Sequence, residues 1–203
     1  MASLRATLGL AAGLTAATAL ATGTAGARDL STFGDGVEGS YQIDPNAVCP
    51  DVVVVKIPYC TDECGQFLQR ERANAVAEAF DKADLNGDGR TFAYVAGYAS
   101  RIAPTAYNQA LSQRRVNHAV RLAQGEGAQV VHTAPFGETR ARGAESADFP
   151  NDRLSIIFFT ESRSNVGVTR DGTIVPVPGV NVIGYSAPAC NSHLRQGDPA
   201  FRR

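Results

Sequence analysis

The sequence predicts an α+β domain in which a β-α-β-α-β-β succession folds into two layers, with both helices on one face of the sheet. Three observations lead there. Short runs rich in Val, Ile and Phe alternate with two longer segments whose apolar residues recur at helical spacing. Breaks rich in Gly, Asn and Asp separate them. The last two apolar runs have only a polar, loop-like stretch between them, so the order closes on two strands. A sheet with helices on one face buries both sets of apolar residues between its layers.

The elements follow in order. Asp51 to Ile57 contains four consecutive valines and reads as a buried strand ended by Pro58. Gln66 to Lys82 reads as a helix with Phe67, Ala73, Val76, Ala77 and Phe80 as its core face. Arg70, Glu71, Arg72, Glu78 and Asp81 take the remaining positions. Asn86-Gly87-Asp88-Gly89 breaks the chain before a strand over Thr91 to Gly97. Thr105 to Gln124 is the second helix, with Tyr107, Leu111, Ala119, Val120 and Ala123 as expected core, stopped by Gly125-Glu126-Gly127. Ala128 to Ala134 and Arg153 to Thr160 are the last two strands, and Gly137 to Phe149 is the polar stretch between them. Beyond them, Asp171-Gly172 between Val166-Gly167-Val168 and Thr173-Ile174-Val175 signals an appended hairpin within Asn165 to Val182, and residues 183–203 read as irregular.

Composition narrows the class. The 203 residues suffice for one domain with a substantial core and tails, and 44% hydrophobic with 19% charged residues is ordinary for a globular protein. The near-zero net charge gives no footprint for nucleic acid or an anionic membrane. Residues 1–27 read as a secretory leader: Arg5 supplies the positive end, Leu8 to Leu20 the apolar run, and Ala25-Gly26-Ala27 the small-residue cleavage site. The run is too short and too rich in Ala, Thr and Gly for a transmembrane anchor, and no membrane span is expected after the leader is removed. The mature chain then carries 18 basic and 20 acidic residues, a net −2. Residues 28–50, rich in Gly, Asp and Ser, read as an extended linker, so the expected organisation is leader 1–27, linker 28–50, domain 51–160 and C-terminal extension 161–203.

All four cysteines, Cys49, Cys60, Cys64 and Cys190, lie beyond the leader. In an oxidising compartment an even number points to two disulfides. Three pairings are open; Cys60–Cys64, which closes a small local loop, together with Cys49–Cys190, which ties the tail to the start of the domain, is preferred. The cysteines lack a second Cys or His pair at zinc spacing, and no metal or other cofactor is expected.

Val95 to Arg115 holds the functional signal. An apolar strand runs into Gly97-Tyr98, a Pro-containing loop follows, and the helix opening near Thr105 carries Asn108, Ser112 and Arg115 on or near one side. This stretch resembles the OmpA-like peptidoglycan-binding domain. The family pattern there is a strand ending in Gly-His/Tyr-Thr-Asp, a loop, then Tyr-Asn, two residues, Leu-Ser, two residues, Arg-Ala. Gly97-Tyr98, Tyr107-Asn108, Leu111-Ser112 and Arg115 match it in type and spacing. Gly137-Glu138 fits the family's Gly-Glu turn, and Asn151-Asp152-Arg153 stands where the family has Asn-Arg-Arg before its last strand. The resemblance covers residues 50–160. The chain departs from it at three positions: Ser100 replaces the family's Asp, Ala99 its Thr, and Asp152 the middle Arg.

The resemblance implies a non-enzymatic, periplasmic cell-envelope protein that contacts peptidoglycan non-covalently. Arg115 would bind the carboxylate of diaminopimelate in the stem peptide, which suits the planar fork of a guanidinium. Ser100 stands where the family Asp would meet the ammonium group, and it brings no charge. A charge-assisted hydrogen bond is worth about 1.5–3 kcal/mol. The implied affinity is therefore roughly ten- to a hundredfold below that of a member with Asp. Asn108 would either hold the loop through its backbone or touch the ligand, Arg153 would close the pocket, and Asp152 could pair with either arginine and fill the site from within. If it does, the domain is instead a protein-interaction or structural module of the envelope. Catalysis is not expected, since Ser100 and Arg115 offer no base.

Two further patterns have ordinary readings. Asp84-Leu85-Asn86-Gly87-Asp88-Gly89 starts like an EF-hand loop, but position 12 is Val95 instead of Glu, and a helix-to-strand turn is expected. His118, His132 and His193 fall in no ligand pattern.

Overall fold

The computed structural model describes residues 28–29, 42–43, 49–59, 66–101, 103–141 and 153–187. The leader, most of the linker, Cys60, Cys64, Cys190, Asn151, Asp152, His193 and the side chain of Phe67 lie outside them. Strands β1 (Arg28–Asp29) and β2 (Gln42–Ile43) are two-residue pieces. The domain proper begins with β3 (Val52–Pro58), followed by α1 (Gln66–Ala83), β4 (Phe92–Gly97), α2 (Thr105–Gly125), β5 (Gln129–Pro135) and β6 (Leu154–Thr160). A 3₁₀ turn at Arg163–Asn165 leads to β7 (Val166–Val168) and β8 (Ile174–Pro176), and β9 (Val182–Ser186) is last. Among the described residues, no helix is long and apolar enough to cross a membrane.

The fold is the α+β arrangement that the periodicity predicts, with a mixed sheet in the order β1-β2-β9-β3-β6-β4-β5. β6 lies antiparallel between β3 and β4, while β5 joins β4 in parallel. Both helices cover one face. Val53, Val55, Ile57, Ala93, Val95, Ile157 and Phe159 point into that layer and pack on Val76, Ala79, Phe80, Val116, Ala119 and Ala123. Phe80 and Phe159 meet edge-on at 5.9 Å.

The C-terminal extension and the linker differ from expectation in three respects. Residues 183–203 are not wholly irregular, because β9 runs parallel to β3 from Val52↔Val182 to Lys56↔Ser186. The linker is also not fully separate, since β1 pairs with β2 and β2 with β9. Moreover, the hairpin is part of the core and not a mere appendage. Val166 and Ile174 pack on Val52, Val54, Tyr94, Ala96, Ile156 and Phe158, on the sheet face that the helices leave uncovered. This explains why Val52 to Val55 and Ile156 to Phe159 are apolar without alternation: both faces of these strands are buried.

The core face of α2 is also shifted from the expected one. Ala119 and Ala123 are buried, but Tyr107 is 50% exposed, and Leu111 and Val120 are only partly covered. The inward positions of the N-terminal half are Asn108, Ser112, Arg115 and Val116. In α1, Val76 and Phe80 are buried as expected, Ala73 and Ala77 only partly so, and Ala79, Ala83 and Arg72 take the inner positions. The Asp84–Gly89 segment is a turn. Gly87 and Gly89 adopt φ of 63° and 68°, and the Asp84 carboxylate accepts the Gly89 N–H at 3.2 Å. Asn86 is bound through its backbone and side chain by Glu161, at 2.9 and 2.8 Å. Val95 lies fully buried in β4.

Two substitutions test this packing. Ile174→Ala should destabilise by about 2–5 kcal/mol in urea unfolding, as for a central core residue; a near-neutral result would show the hairpin to be peripheral. At Gly97 an added Cβ would stand 2.6 Å from Val116 Cγ2 and 2.7 Å from Ser112 O. Gly97→Ala should therefore cost at least about 1–3 kcal/mol, since a backbone carbonyl gives way less readily than a side chain.

Candidate functional site

The predicted site residues gather at one end of the sheet, where β3 and β4 finish and β6 begins. Four backbone hydrogen bonds extend the sheet beyond its strands: Tyr59 N–H to Arg153 O (2.7 Å), Tyr98 N–H to Leu154 O (2.9 Å), Phe136 N–H to Gly97 O (2.9 Å) and Ala99 N–H to Gly137 O (2.7 Å). Tyr98-Ala99-Ser100 is thus laid beside the Phe136-Gly137-Glu138 turn. The inner face of α2 sits over both, because Gly97 leaves room for the helix backbone.

That face joins the pieces through polar groups. Ser112 Oγ accepts the Gly137 N–H at 2.9 Å and donates to Gln109 O at 2.9 Å. Asn108, 2% exposed, donates through Nδ2 to Ala103 O at 2.6 Å and to Glu138 Oε2. Thr105 Oγ1 donates to Glu138 Oε1 at 2.6 Å. Asn108 therefore holds the loop backbone, one of the two roles open to it, and does so together with Glu138. The hydrogen bonds from Thr105 and then Asn108 hold the Glu138 carboxyl below the usual carboxylate range, with Arg101 adding a smaller pull.

Arg115 is buried, and its Nη1 donates to Tyr98 O at 2.7 Å. Its guanidinium lies 5.3 Å from the centre of the Tyr59 ring, and Arg72 lies over the same ring at 4.6 Å. Arg72 was expected on the solvated side of α1. It is instead 2% exposed and donates through Nη2 to Pro58 O at 2.6 Å, because the end of β3 offers it both an acceptor and an aromatic face. Arg153 is also buried at this end, and so is Ser100. The structure therefore brings Ser100, Asn108, Arg115 and Arg153 into one region. Cys49 is exposed, and the other three cysteines lie outside the described residues.

Sequence reading missed Tyr59 and Arg72. A lone Tyr after a strand and one Arg among several on a helix carry no periodic signal. Tyr59, just past β3, lies under Arg72 of α1 and is fastened to α2: its hydroxyl is 3.2 Å from Arg115 O and 3.0 Å from His118 Nδ1, and its ring meets the imidazole edge-on at 5.7 Å. A carbonyl can only accept, so when the phenol donates to it, Nδ1 carries the hydrogen that reaches the phenol oxygen. His132 lies in β5 opposite Tyr94. Among the described residues, no group of His, Cys, Asp and Glu is placed to hold a metal ion.

On the other sheet face, Tyr98 stacks on Phe136 at 5.3 Å, and Arg140 lies 4.8 Å from the Phe136 ring centre. Burial pushes the Tyr98 phenol well up. Arg140 also binds Asp171 and Thr173, tying the hairpin turn to the segment that carries Glu138. Hydrogen bonds from Thr169 and then Thr173 hold the Asp171 carboxyl far below its ordinary value.

Together these define an α+β domain with a hydrogen-bonded polar junction at one sheet end, crossed by buried arginines. Comparison with protein-family models and with curated proteins finds no match to this chain.

The His118 imidazole gives a direct check on the junction. Burial, followed by the Arg72 and Arg121 charges, lowers its pKa from 6.5 to about 4. The folded state thus resists protonation that the unfolded chain accepts, so stability falls as pH drops from about 6.5 toward 4 and is unaffected by this group above that window. An NMR titration of His118 should give a midpoint near 4. A midpoint at or above 6.5 would mean that the ring is not enclosed beside Tyr59.

Proposed function

We propose that this chain is a non-enzymatic cell-envelope protein, acting in the periplasm, which contacts the diaminopimelate stem peptide of peptidoglycan through an OmpA-like domain. The observation that carries this reading is the common inward face of Asn108, Ser112 and Arg115 on α2, set against the end of β4 and the Gly137-Glu138 turn. These are the positions at which the chain resembles the family, and the fold gives each a distinct task. Asn108 and Ser112 hold the loops, while Arg115 brings a guanidinium suited to a carboxylate. The contact is weak because Ser100 lacks the family's charge.

A second reading has its own support. Arg115 is only 4% exposed and already donates to Tyr98 O. A guanidinium engaged in this way serves the fold, and the domain would then be a structural or protein-interaction module of the envelope.

Sedimentation with purified, diaminopimelate-containing sacculi separates the two. The first reading expects wild type to pellet with sacculi, Ser100→Asp to bind roughly tenfold or more tightly, and Arg115→Ala to lose binding. Arg115→Ala should also melt earlier, because it removes a buried hydrogen-bonded group, which makes the gain at Ser100→Asp the cleaner result. If neither wild type nor Ser100→Asp pellets, the interaction-module reading replaces the first.

A further inference from the structure

The outward side of α2 carries a second signal, independent of Arg115 and of the peptidoglycan reading. The near-zero charge of the whole chain conceals a local excess. Over Thr105–Gly125 the helix has three arginines and one histidine, and no Asp or Glu. Arg115 turns inward, while Arg114 and Arg121 are exposed. Among the described residues, neither of these two makes an ion pair. Carboxylates stand only at the ends of the helix: Glu138 is held by Thr105 and Asn108 at the start, and Glu126 is the C-cap. The positive charge between them is therefore unmatched along the helix.

Helical spacing puts Tyr107, Ala110, Arg114, Asn117, Arg121 and Gln124 on one side, and all six are exposed. Tyr107 is the most exposed large apolar side chain described, at 50%, and the Arg114 guanidinium lies 5.5 Å from its ring centre. Asn117 Oδ1 accepts from Gln113 Nε2 at 2.9 Å, which leaves Asn117 Nδ2 as a donor. We propose that this stripe binds a linear polysaccharide carrying one carboxylate per disaccharide. Arg114 and Arg121 take successive carboxylates, the Tyr107 ring meets the face of a sugar, and the Asn117 amide donates to hydroxyl groups.

The spacing of the charges selects this class. Arg114 and Arg121 are seven residues apart on α2, roughly 10 Å along the helix axis, a distance on the scale of a pair of sugar rings. A duplex nucleic acid carries a charge about every 1.7 Å, and two cations would leave most of those unmet. An extended acidic peptide repeats its same-side carboxylates at roughly 7 Å, out of step with the arginines. A membrane surface would need an apolar face to bury, and the stripe holds no Leu, Ile, Val or Phe. A guanidinium accepts the fit of a carboxylate through two parallel hydrogen bonds, and the Tyr side chain joins an apolar ring to a polar tip, as a sugar does.

The test measures binding of the mature protein to fluorescent hyaluronate oligosaccharides, which carry one carboxylate per disaccharide, by anisotropy over a salt series. Wild type should bind, and binding should weaken as salt screens the exposed arginines. Arg114→Gln and Arg121→Gln should each bind roughly fivefold more weakly and show a shallower salt dependence. Tyr107→Ala should also bind more weakly, with the salt dependence kept. Arg170→Gln is the control for charge: Arg170 is exposed in the hairpin turn, on the sheet face opposite the helices, and its variant should match wild type. Neutral chitin oligosaccharides and poly-glutamate should displace hyaluronate poorly. All four positions are exposed, so melting curves should stay close to wild type. No binding by wild type overturns the proposal, and so does an equal loss in Arg170→Gln, which would make the effect one of overall charge. Displacement by poly-glutamate as effective as by hyaluronate assigns the stripe to acidic peptides instead, and an unchanged Tyr107→Ala removes the sugar contact; either result overturns the proposal as stated. Loss of sacculus binding in the Arg115 and Ser100 variants leaves it untouched, since those residues are not on this side of α2.

Discussion

The close approach of α2 to the end of β4 is the constraint on which the rest depends. It exists because Gly97 has no side chain, and any Cβ there would run into Val116 and the Ser112 carbonyl. With the helix backbone this near, its inward side chains in the first turns must be small or must reach past the strand. Ser112 fills the space directly over the Gly137 N–H. Arg115 reaches the Tyr98 carbonyl. A bulkier residue at position 97 would lift the helix and separate both contacts together.

The junction that results is polar yet buried, and such a place is stable only when its groups are matched. Here the partners are largely backbone groups that the sheet cannot satisfy. Pro58 O at the last residue of β3, and Tyr98 O, Ala103 O and the Gly137 N–H beyond the strands, are each met by a side chain: Arg72, Arg115, Asn108 and Ser112. These residues thus serve the fold wherever else they serve. This also explains why the expected core position Tyr107 turns outward: the inner face of α2 at this level needs donors, and the helix rotates to present Asn108.

The opposite sheet face follows a different logic. Two helices cover only one side of a sheet whose central strands are apolar on both. The hairpin of β7 and β8 covers the other side with Val166 and Ile174, and β9 extends the sheet beyond β3. The cover is fastened by Arg140, which bridges Asp171 and Thr173 of the hairpin while lying over Phe136. Phe136 in turn stacks on Tyr98, the residue whose carbonyl receives Arg115. The C-terminal extension and the polar junction are therefore linked through one short chain of contacts.

How much of this was legible depends on the range of the forces involved. Helices, strands and the turn at Asn86-Gly87-Asp88-Gly89 arise from local periodicity and backbone preference, and their limits in the structure fall within a residue or two of those read from the chain. The grouping of Asn108, Ser112 and Arg115 was legible for the same reason, since helical spacing alone puts them on one side. Tyr59 and Arg72 were not, because their importance comes from meeting Arg115 and Pro58 O across separate elements. Nor could β9 be read as a strand, since Val182 to Ser186 has no clear alternation and takes its conformation from the adjacent edge of β3. The sequence by itself determined the succession of elements and the residue types available at the end of β4. Only the tertiary structure decided which of them are buried, that the hairpin closes the second face, and that the Gly137-Glu138 turn lies beside Ala99, because those outcomes depend on contacts between segments far apart in the chain.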